Sequence, residues 1–330
     1  VEHRWGAKVA IHRGIIPRGQ FTLAKKGCKL AGKEAKWLAC AQEEELMINF
    51  RKSAQQLALI WLAAAAIACA QNSKKPQYEV YAVRYATLAD FPVSALIQGA
   101  DPARKLDIAM TIWLVKGNGR NILVDSGFYR EQFLKRWKPK DFMKPAEAVA
   151  ALGVKPEDVT DVIITHMHWD HADGMDLFPK ARIWVQKDEY IYYAGEAWQH
   201  NDTHGGIDKD DVLAAVRLNM EGRLGLVNGD AQEIIPGITC YTGGKHTYQS
   251  QYVGVSTKDG AVVLASDNMY LYENLEKHVP IAQTLDADSN LRAQDRMKQI
   301  AAKPGLIIPG HDPAVFDKFP RVNAHVVKIE

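Results

Sequence analysis

Thr165-His166-Met167-His168-Trp169-Asp170-His171-Ala172-Asp173-Gly174-Met175 is the stretch that decides how this chain folds and what it can hold. Three histidines and an aspartate, His166, His168, Asp170 and His171, fall within six positions. The apolar run Val162-Ile163-Ile164 just before them reads as a buried strand. Imidazoles and a carboxylate therefore crowd together at a strand's C-terminal end. Such a gathering is costly without a cation to share, and neutral imidazole with carboxylate suits zinc, iron or manganese. The spacing argues for two ions. In extended chain, residues two apart face the same side, so His166 and His168 reach one ion. Asp170 and His171 follow where the strand gives way to a turn, and they point to a different place.

One ion needs three or four protein ligands, so the remainder must come from downstream. His246 sits in the loop-like Gly243-Gly244-Lys245-His246, Asp267 follows the strand-like run Ala261–Ala265, and His311 follows Leu306-Ile307-Ile308. A single His or Asp after a strand is more often a cap or a surface residue. The recurrence of the pattern after successive short apolar runs outweighs that reading, because a sheet brings all these ends to one rim.

With these positions assembled, the motif His166-x-His168-x-Asp170-His171, followed by His246, Asp267 and His311, resembles the dinuclear metallo-β-lactamase superfamily over roughly residues 77–330. The resemblance implies an αββα sandwich, two mixed sheets packed face to face with helices outside. It implies that His166, His168 and His246 hold one ion, that Asp170, His171 and His311 hold the other, and that Asp267 bridges them. Asn121-Ile122-Leu123-Val124-Asp125-Ser126-Gly127 matches the superfamily's early strand, whose aspartate supports the metal ligands from behind.

Within the superfamily the chain is most similar to the N-acyl homoserine lactone lactonases. Asp267-Asn268-Met269-Tyr270 places a tyrosine three positions after the bridging aspartate, and Tyr272-Glu273-Asn274-Leu275 and Val279-Pro280 follow. Upstream, Lys105-Leu106-Asp107-Ile108 and Thr111-Ile112-Trp113-Leu114-Val115 also fit. In the lactonases this tyrosine contacts the substrate. The third-histidine segment departs from their pattern. Thr242-Gly243-Gly244-Lys245-His246-Thr247-Tyr248-Gln249-Ser250 lacks the usual proline and the second histidine. Trp169 and Asp173 also stand where relatives often carry other residues.

The expected chemistry is opening of the lactone ring of N-acyl homoserine lactones, the reaction of quorum quenching. Two ions about 3.5–4 Å apart share a hydroxide, and metal binding brings the pKa of water towards about 7. Tyr270 donates to the carbonyl or the developing oxyanion, and Asp170 relays a proton to the leaving oxygen. Zinc is the expected metal for both sites, with iron, manganese and cobalt as alternatives. A phosphotriesterase, another ester hydrolase or a β-lactam hydrolase on the same fold is the competing reading. β-Lactamases of this fold generally lack an aspartate at the Asp267 position, which counts against that option.

Composition agrees with a compact enzyme. Hydrophobic residues make up 47% of the chain and the formal net charge is only +2, so there is no electrostatic case for nucleic acid. The expected partner is a small lactone or ester, and a homodimer is allowed.

The first seventy residues read differently. Leu57–Ala70 is an apolar run shorter than the ~20 residues of a membrane span. Met47, then Arg51 and Lys52, precede it, and Ala68-Cys69-Ala70 ends it: the layout of a secretory signal peptide. Residues 1–46 then read as an upstream extension, 47–70 as a signal or lipoprotein signal with Cys69 as the lipid-bearing residue, and 71–330 as the hydrolase domain. The mature chain is expected in the periplasm or secreted, without a transmembrane helix. Of the four cysteines only Cys240 remains in it, as a small core residue rather than a nucleophile.

Elsewhere, strands are expected at Tyr78–Tyr85, Ala109–Val115, Ile122–Val124, Ile238–Tyr241, Tyr252–Ser256 and Ala261–Ala265. Asp158–Ile164 turns into the motif strand. Helices are expected at Pro145–Leu152, Lys187–Ala194, Asp210–Met220 (capped by Asp208 or Asp210) and Asn290–Ala302.

Overall fold

The computed structural model describes residues 76–200 and 204–330, together with Met47, Gln55 and Gln56. The expected leader at 47–70 and the extension before it otherwise lie outside the described residues. Lys74–Glu330 forms one compact unit. No described helix is long and apolar enough to cross a membrane.

Among the described residues, twelve strands make two sheets. The first holds β1 (Glu79–Pro92), β2 (Lys105–Gly117), β3 (Arg120–Val124), β4 (Asp161–Ile163), β5 (Arg182–Gln186), β6 (Leu224–Val227) and β12 (Val326–Lys328), in the order β12-β1-β2-β3-β4-β5-β6. β1 to β3 run antiparallel and β3 to β6 run parallel. The second sheet, in the order β11-β10-β9-β8-β7, holds β7 (Gln232–Ile235), β8 (Ile238–Thr242), β9 (Gln251–Thr257), β10 (Gly260–Ser266) and β11 (Ile307–Pro309). It is antiparallel except for the β10–β11 pair.

The side-chain alternation of β2 shows why the sheets stack. Trp113 and Val115 enter a core shared with Tyr252, Val253 and Val263 of the second sheet. Ile112 and Leu114 point the other way, into a core shared with Phe133, Val149 and Val212 from the helices. Covering both faces of one strand explains its continuous apolar run. Each fully buried aliphatic or phenyl side chain stabilises the fold by roughly 1.5–3 kcal/mol relative to exposure. Cys240 lies in the inter-sheet core, where burial pushes its thiol up, so it is a packing residue as expected.

The expected strands and helices are present, but β1 runs past Tyr85 to Pro92 and β2 begins before Ala109, at Lys105. Asp208, not Asp210, caps the helix Lys209–Met220 by accepting from the Asp210 N–H at 2.9 Å. The helix near 290 begins earlier, at Ala287, because Asp286 caps it through the Ser289 N–H at 2.9 Å. The motif strand is shorter than expected, since Pro156–Asp158 form a 3-10 turn before it. Short β5 and β6 and the helix Glu131–Trp137 were not anticipated. β5 shows only two inward positions, Ile183 and Val185, too few to mark a period on their own.

Candidate metal centre

Each motif residue leaves the C-terminal end of a strand. His166 and His168 follow β4, His246 follows β8, Asp267 follows β10 directly and His311 follows β11. All seven expected side chains converge there, in two groups. In the first, His166, His168, His246 and Asp267 present ligand atoms within 4.8 Å of one another, and in the second Asp170, His171 and His311 do the same. His168 Nδ1 lies 3.1 Å from His166 Nε2 and 2.9 Å from His246 Nε2. The Asp267 carboxylate stands between the groups. Its Oδ2 is 3.4 Å from His246 Nε2 and 3.7 Å from His166 Nε2, and its Oδ1 is 3.0 Å from His311 Nε2 and 3.4 Å from His171 Nε2. Asp170 Oδ2 lies 3.5 Å from His171 Nε2 and 3.8 Å from His311 Nε2.

The far sides of three rings are tied back. His171 Nδ1 meets Asp125 Oδ2 at 2.8 Å, His246 Nδ1 meets the Gln283 carbonyl at 2.7 Å, and His311 Nδ1 meets the Ala109 carbonyl at 2.9 Å. A proton held on each Nδ1 leaves the Nε2 lone pair facing inward. Asp125 also accepts from the Thr165 N–H at 2.8 Å, the Thr165 hydroxyl at 3.0 Å and the Ser266 hydroxyl at 3.0 Å. It thus joins the ends of β3, β4 and β10, the supporting role expected of it. Tyr85 donates to the Asp170 carbonyl at 3.2 Å.

Sequence reading missed Glu189. This buried carboxylate accepts from the Met167 N–H at 3.1 Å, the Thr247 hydroxyl at 2.7 Å and the Gln249 N–H at 2.6 Å. It holds the His166–His168 segment and the His246 loop in one register. That loop, without the usual proline, also turns on Gly244 at φ +89°, where a Cβ would lie 2.2 Å from Asn268 Oδ1. A glutamate in Lys187-Asp188-Glu189-Tyr190 carries no local signal of burial, so only the fold reveals it.

The donor set fits divalent cations. His171 Nε2 and Asp267 Oδ1 are buried without a hydrogen-bond partner among the described residues. Burial, and then the neighbouring His246, push His168 down to about 3, so its imidazole is neutral and ligand-ready. Burial also lowers His166. Burial opposes charge on His171 too, but Asp267, Asp170 and Asp125 overcome it and hold that imidazole well above its ordinary value. In the second group a cation therefore takes the place of protons.

The sequence pattern of the Metallo-beta-lactamase superfamily matches residues 110–311, the span that carries this paired centre. The chain belongs to the metallo-beta-lactamase superfamily. Among its relatives in this superfamily, an N-acyl homoserine lactonase from a Bacillus species is 29% identical over 228 residues, covering 64% of this chain and 84% of that protein. The crystal structure of a quorum-quenching N-acyl homoserine lactone lactonase superposes with a TM-score of 0.62 at 24% identity, covering 77% of this chain and 99% of its own. AidC, a dizinc quorum-quenching lactonase in complex with a product, superposes with a TM-score of 0.53 at 16% identity, covering 78% and 95%.

A cavity of about 230 Å³ opens over the centre. The candidate ligands His168, Asp170, Asp267 and His311 and the Tyr270 ring line it together with apolar Leu88, Phe91, Ile108, Met110, Trp137 and Trp169 and polar Arg136 and Gln283. Tyr270 sits between the two groups, its ring centroid 5.5 Å from that of His246 and 5.8 Å from that of His311. Burial, then the Asp267 and Asp170 charges, raise its phenol well above the ordinary value, so it keeps its proton and can donate.

Proposed function

We propose that the protein opens the lactone ring of N-acyl homoserine lactones at two divalent metal ions, zinc foremost. One observation carries this reading: a cavity reaches the paired ligand groups and is lined beside them mainly by apolar and aromatic side chains, with Arg136 and Gln283 among them. That shape suits a polar lactone head joined to an apolar acyl chain. The sequence relatives, themselves N-acyl homoserine lactonases, support it.

In this reading His166, His168 and His246 would hold the first ion, Asp170, His171 and His311 the second, and Asp267, between the groups, would serve both. The ions, when bound, supply a water of lowered pKa and an electrophile for the carbonyl. Tyr270, protonated and facing the cavity, donates a hydrogen bond to the carbonyl oxygen as charge grows on it. Asp170, in the cavity lining, takes the proton of the attacking water and delivers it to the ring oxygen as that oxygen leaves. The apolar lining holds the acyl chain and orients the ring.

The test is a pH-stat comparison of the metal-loaded protein on acyl homoserine lactones of several chain lengths, a paraoxon-like triester and a β-lactam. Proton release with the lactones should exceed that with the other two. Faster release from the triester would replace lactonase with phosphotriesterase.

Residues 47–70 are proposed as an export signal, periplasmic or secretory, with residues before about 71 dispensable. A basic start, an apolar core and a small-residue end support this. Gln71–Glu330 expressed alone should be soluble, metal-loaded and active. A metal-free or insoluble product, beside a well-behaved full chain, would refute it.

A further inference from the structure

We propose that Arg130 is a positioning residue that locks the aromatic wall of the substrate cavity and thereby sets how tightly the acyl chain is held. This rests on the lactonase reading for its choice of substrate. Arg130 does not line the cavity; it ties together two elements that do and a helix that follows the lining residues Gly205 and Gly206. It caps the start of the helix Glu131–Trp137, which carries Arg136 and Trp137 into the lining. Its Nε lies 2.9 Å from Asp173 Oδ1, at the end of the Trp169–Ala172 turn, which carries Trp169 and Asp170. Its Nη1 lies 2.7 Å from Asp211 Oδ1 and 3.4 Å from Asp208 Oδ1, at the start of the helix Lys209–Met220.

The three carboxylates are not interchangeable. Asp173 also accepts from the backbone N–H groups of Tyr129 at 2.6 Å and Arg130 at 2.9 Å. Asp208 also accepts from Gln132 Nε2 at 3.0 Å. The Asp211 and Asp173 side chains are fully buried, and burial pushes both carboxyls up, Asp211 to about 8 against the opposing pull of Arg130, so removing the guanidinium leaves buried carboxyls without their ionic partner. The contacts of Arg130 with Asp173 and Asp211 are ion pairs rather than aligned hydrogen bonds, since Asp173 Oδ1 and both Asp211 carboxylate oxygens have no hydrogen-bond partner among the described residues; a broad guanidinium still reaches all three carboxylates at once, which a compact ammonium does less well.

What this knot holds in place is the wall itself. Trp169 stacks on Trp137 at 5.4 Å and 7°, and on Phe133 at 4.6 Å and 24°. On its other side the segment leading to Asp208 lies against the motif. The Trp169 N–H donates to the Gly206 carbonyl at 3.0 Å, and a Cβ on Gly206 would lie 2.7 Å from His168 Cδ2. The metal ligands are braced from elsewhere, by Asp125, Glu189 and backbone carbonyls. Loss of Arg130 should therefore disturb binding of substrate before it disturbs the metals.

The experiment uses Arg130→Lys and the double variant Arg130→Met with Asp211→Asn, which also replaces the buried carboxyl left without its partner. Metal content, near-ultraviolet circular dichroism of the stacked indoles, and kcat and KM on a four-carbon and a ten-carbon acyl homoserine lactone are read for each. The expected result is two metals retained, a reduced indole signal, and KM for the ten-carbon substrate raised roughly tenfold to a hundredfold with kcat little changed, the effect of a small misplacement of binding groups. The four-carbon KM should move less, and Arg130→Lys should lie between wild type and the double variant. An unchanged indole signal with unchanged KM would overturn the proposal. So would loss of metal with kcat, or failure of both variants to fold, since either makes Arg130 a general structural residue. If the wild type opens no lactone, the functional reading fails on its own, and the indole signal still decides whether Arg130 holds the wall.

Discussion

The metal rim and the aromatic wall of the same cavity are held in opposite ways. At the rim, strand ends from both sheets deliver the ligands, and each ring that faces inward through Nε2 has a partner behind it. Asp125 alone accepts from Thr165, Ser266 and His171. At the wall, Trp137 and Trp169 come from a short helix and a single helical turn, and one guanidinium joins the elements that carry them. The rim is fixed by many bonds from rigid strands, the wall by stacking and one ionic knot. Chemistry that tolerates little displacement sits on the first, and substrate choice sits on the second.

Substitutions should separate the two regions. The largest effect is expected for Asp267→Ala, because no other carboxylate reaches both groups. The protein should lose at least one ion and most of its activity, as metal analysis beside a lactone assay will show. Two retained ions would remove the bridge from the account. Tyr270→Phe should keep both ions and slow lactone opening by roughly one to three orders of magnitude, the range for one oxyanion donor. Its effect on a phosphotriester should be smaller; an equal loss on both substrates would point to a packing role.

Asp125→Ala should weaken metal binding by about 10–100-fold, the usual cost of removing a partner behind a ligand. Competition with a chelator measures it, and unchanged affinity would mean that His171 needs no brace. Trp169→Ala acts only on the wall. It should leave metal content unchanged and raise KM for long acyl chains about tenfold, in line with the loss of a few buried methylene contacts. Lost metal would show that wall and rim are not separable.

The same contrast explains what could be read from the chain alone. The rim was legible because every ligand closes a short apolar run, and His-x-His-x-Asp-His is a spacing with few other uses. Asp125 was legible for the same reason, as an aspartate ending a strand. Glu189 was not, because a glutamate in a charged helical turn looks solvated until Met167, Thr247 and Gln249 are folded onto it. Arg130 was not, because its partners Asp173, Asp208 and Asp211 lie far along the chain and obey no period. Asp173 stood out only as a departure from the lactonase pattern, and the structure supplies the reason: it accepts two backbone N–H groups and pairs with Arg130. The wall's aromatic residues, Phe128, Phe133, Trp137 and Trp169, meet only through the packing of separate elements.

The most direct test is to titrate the metal-free protein with zinc while following proton release from an N-acyl homoserine lactone. Activity should climb until two equivalents are bound and then level off. A plateau at one equivalent, or no lactone opening with two bound, would contradict the account.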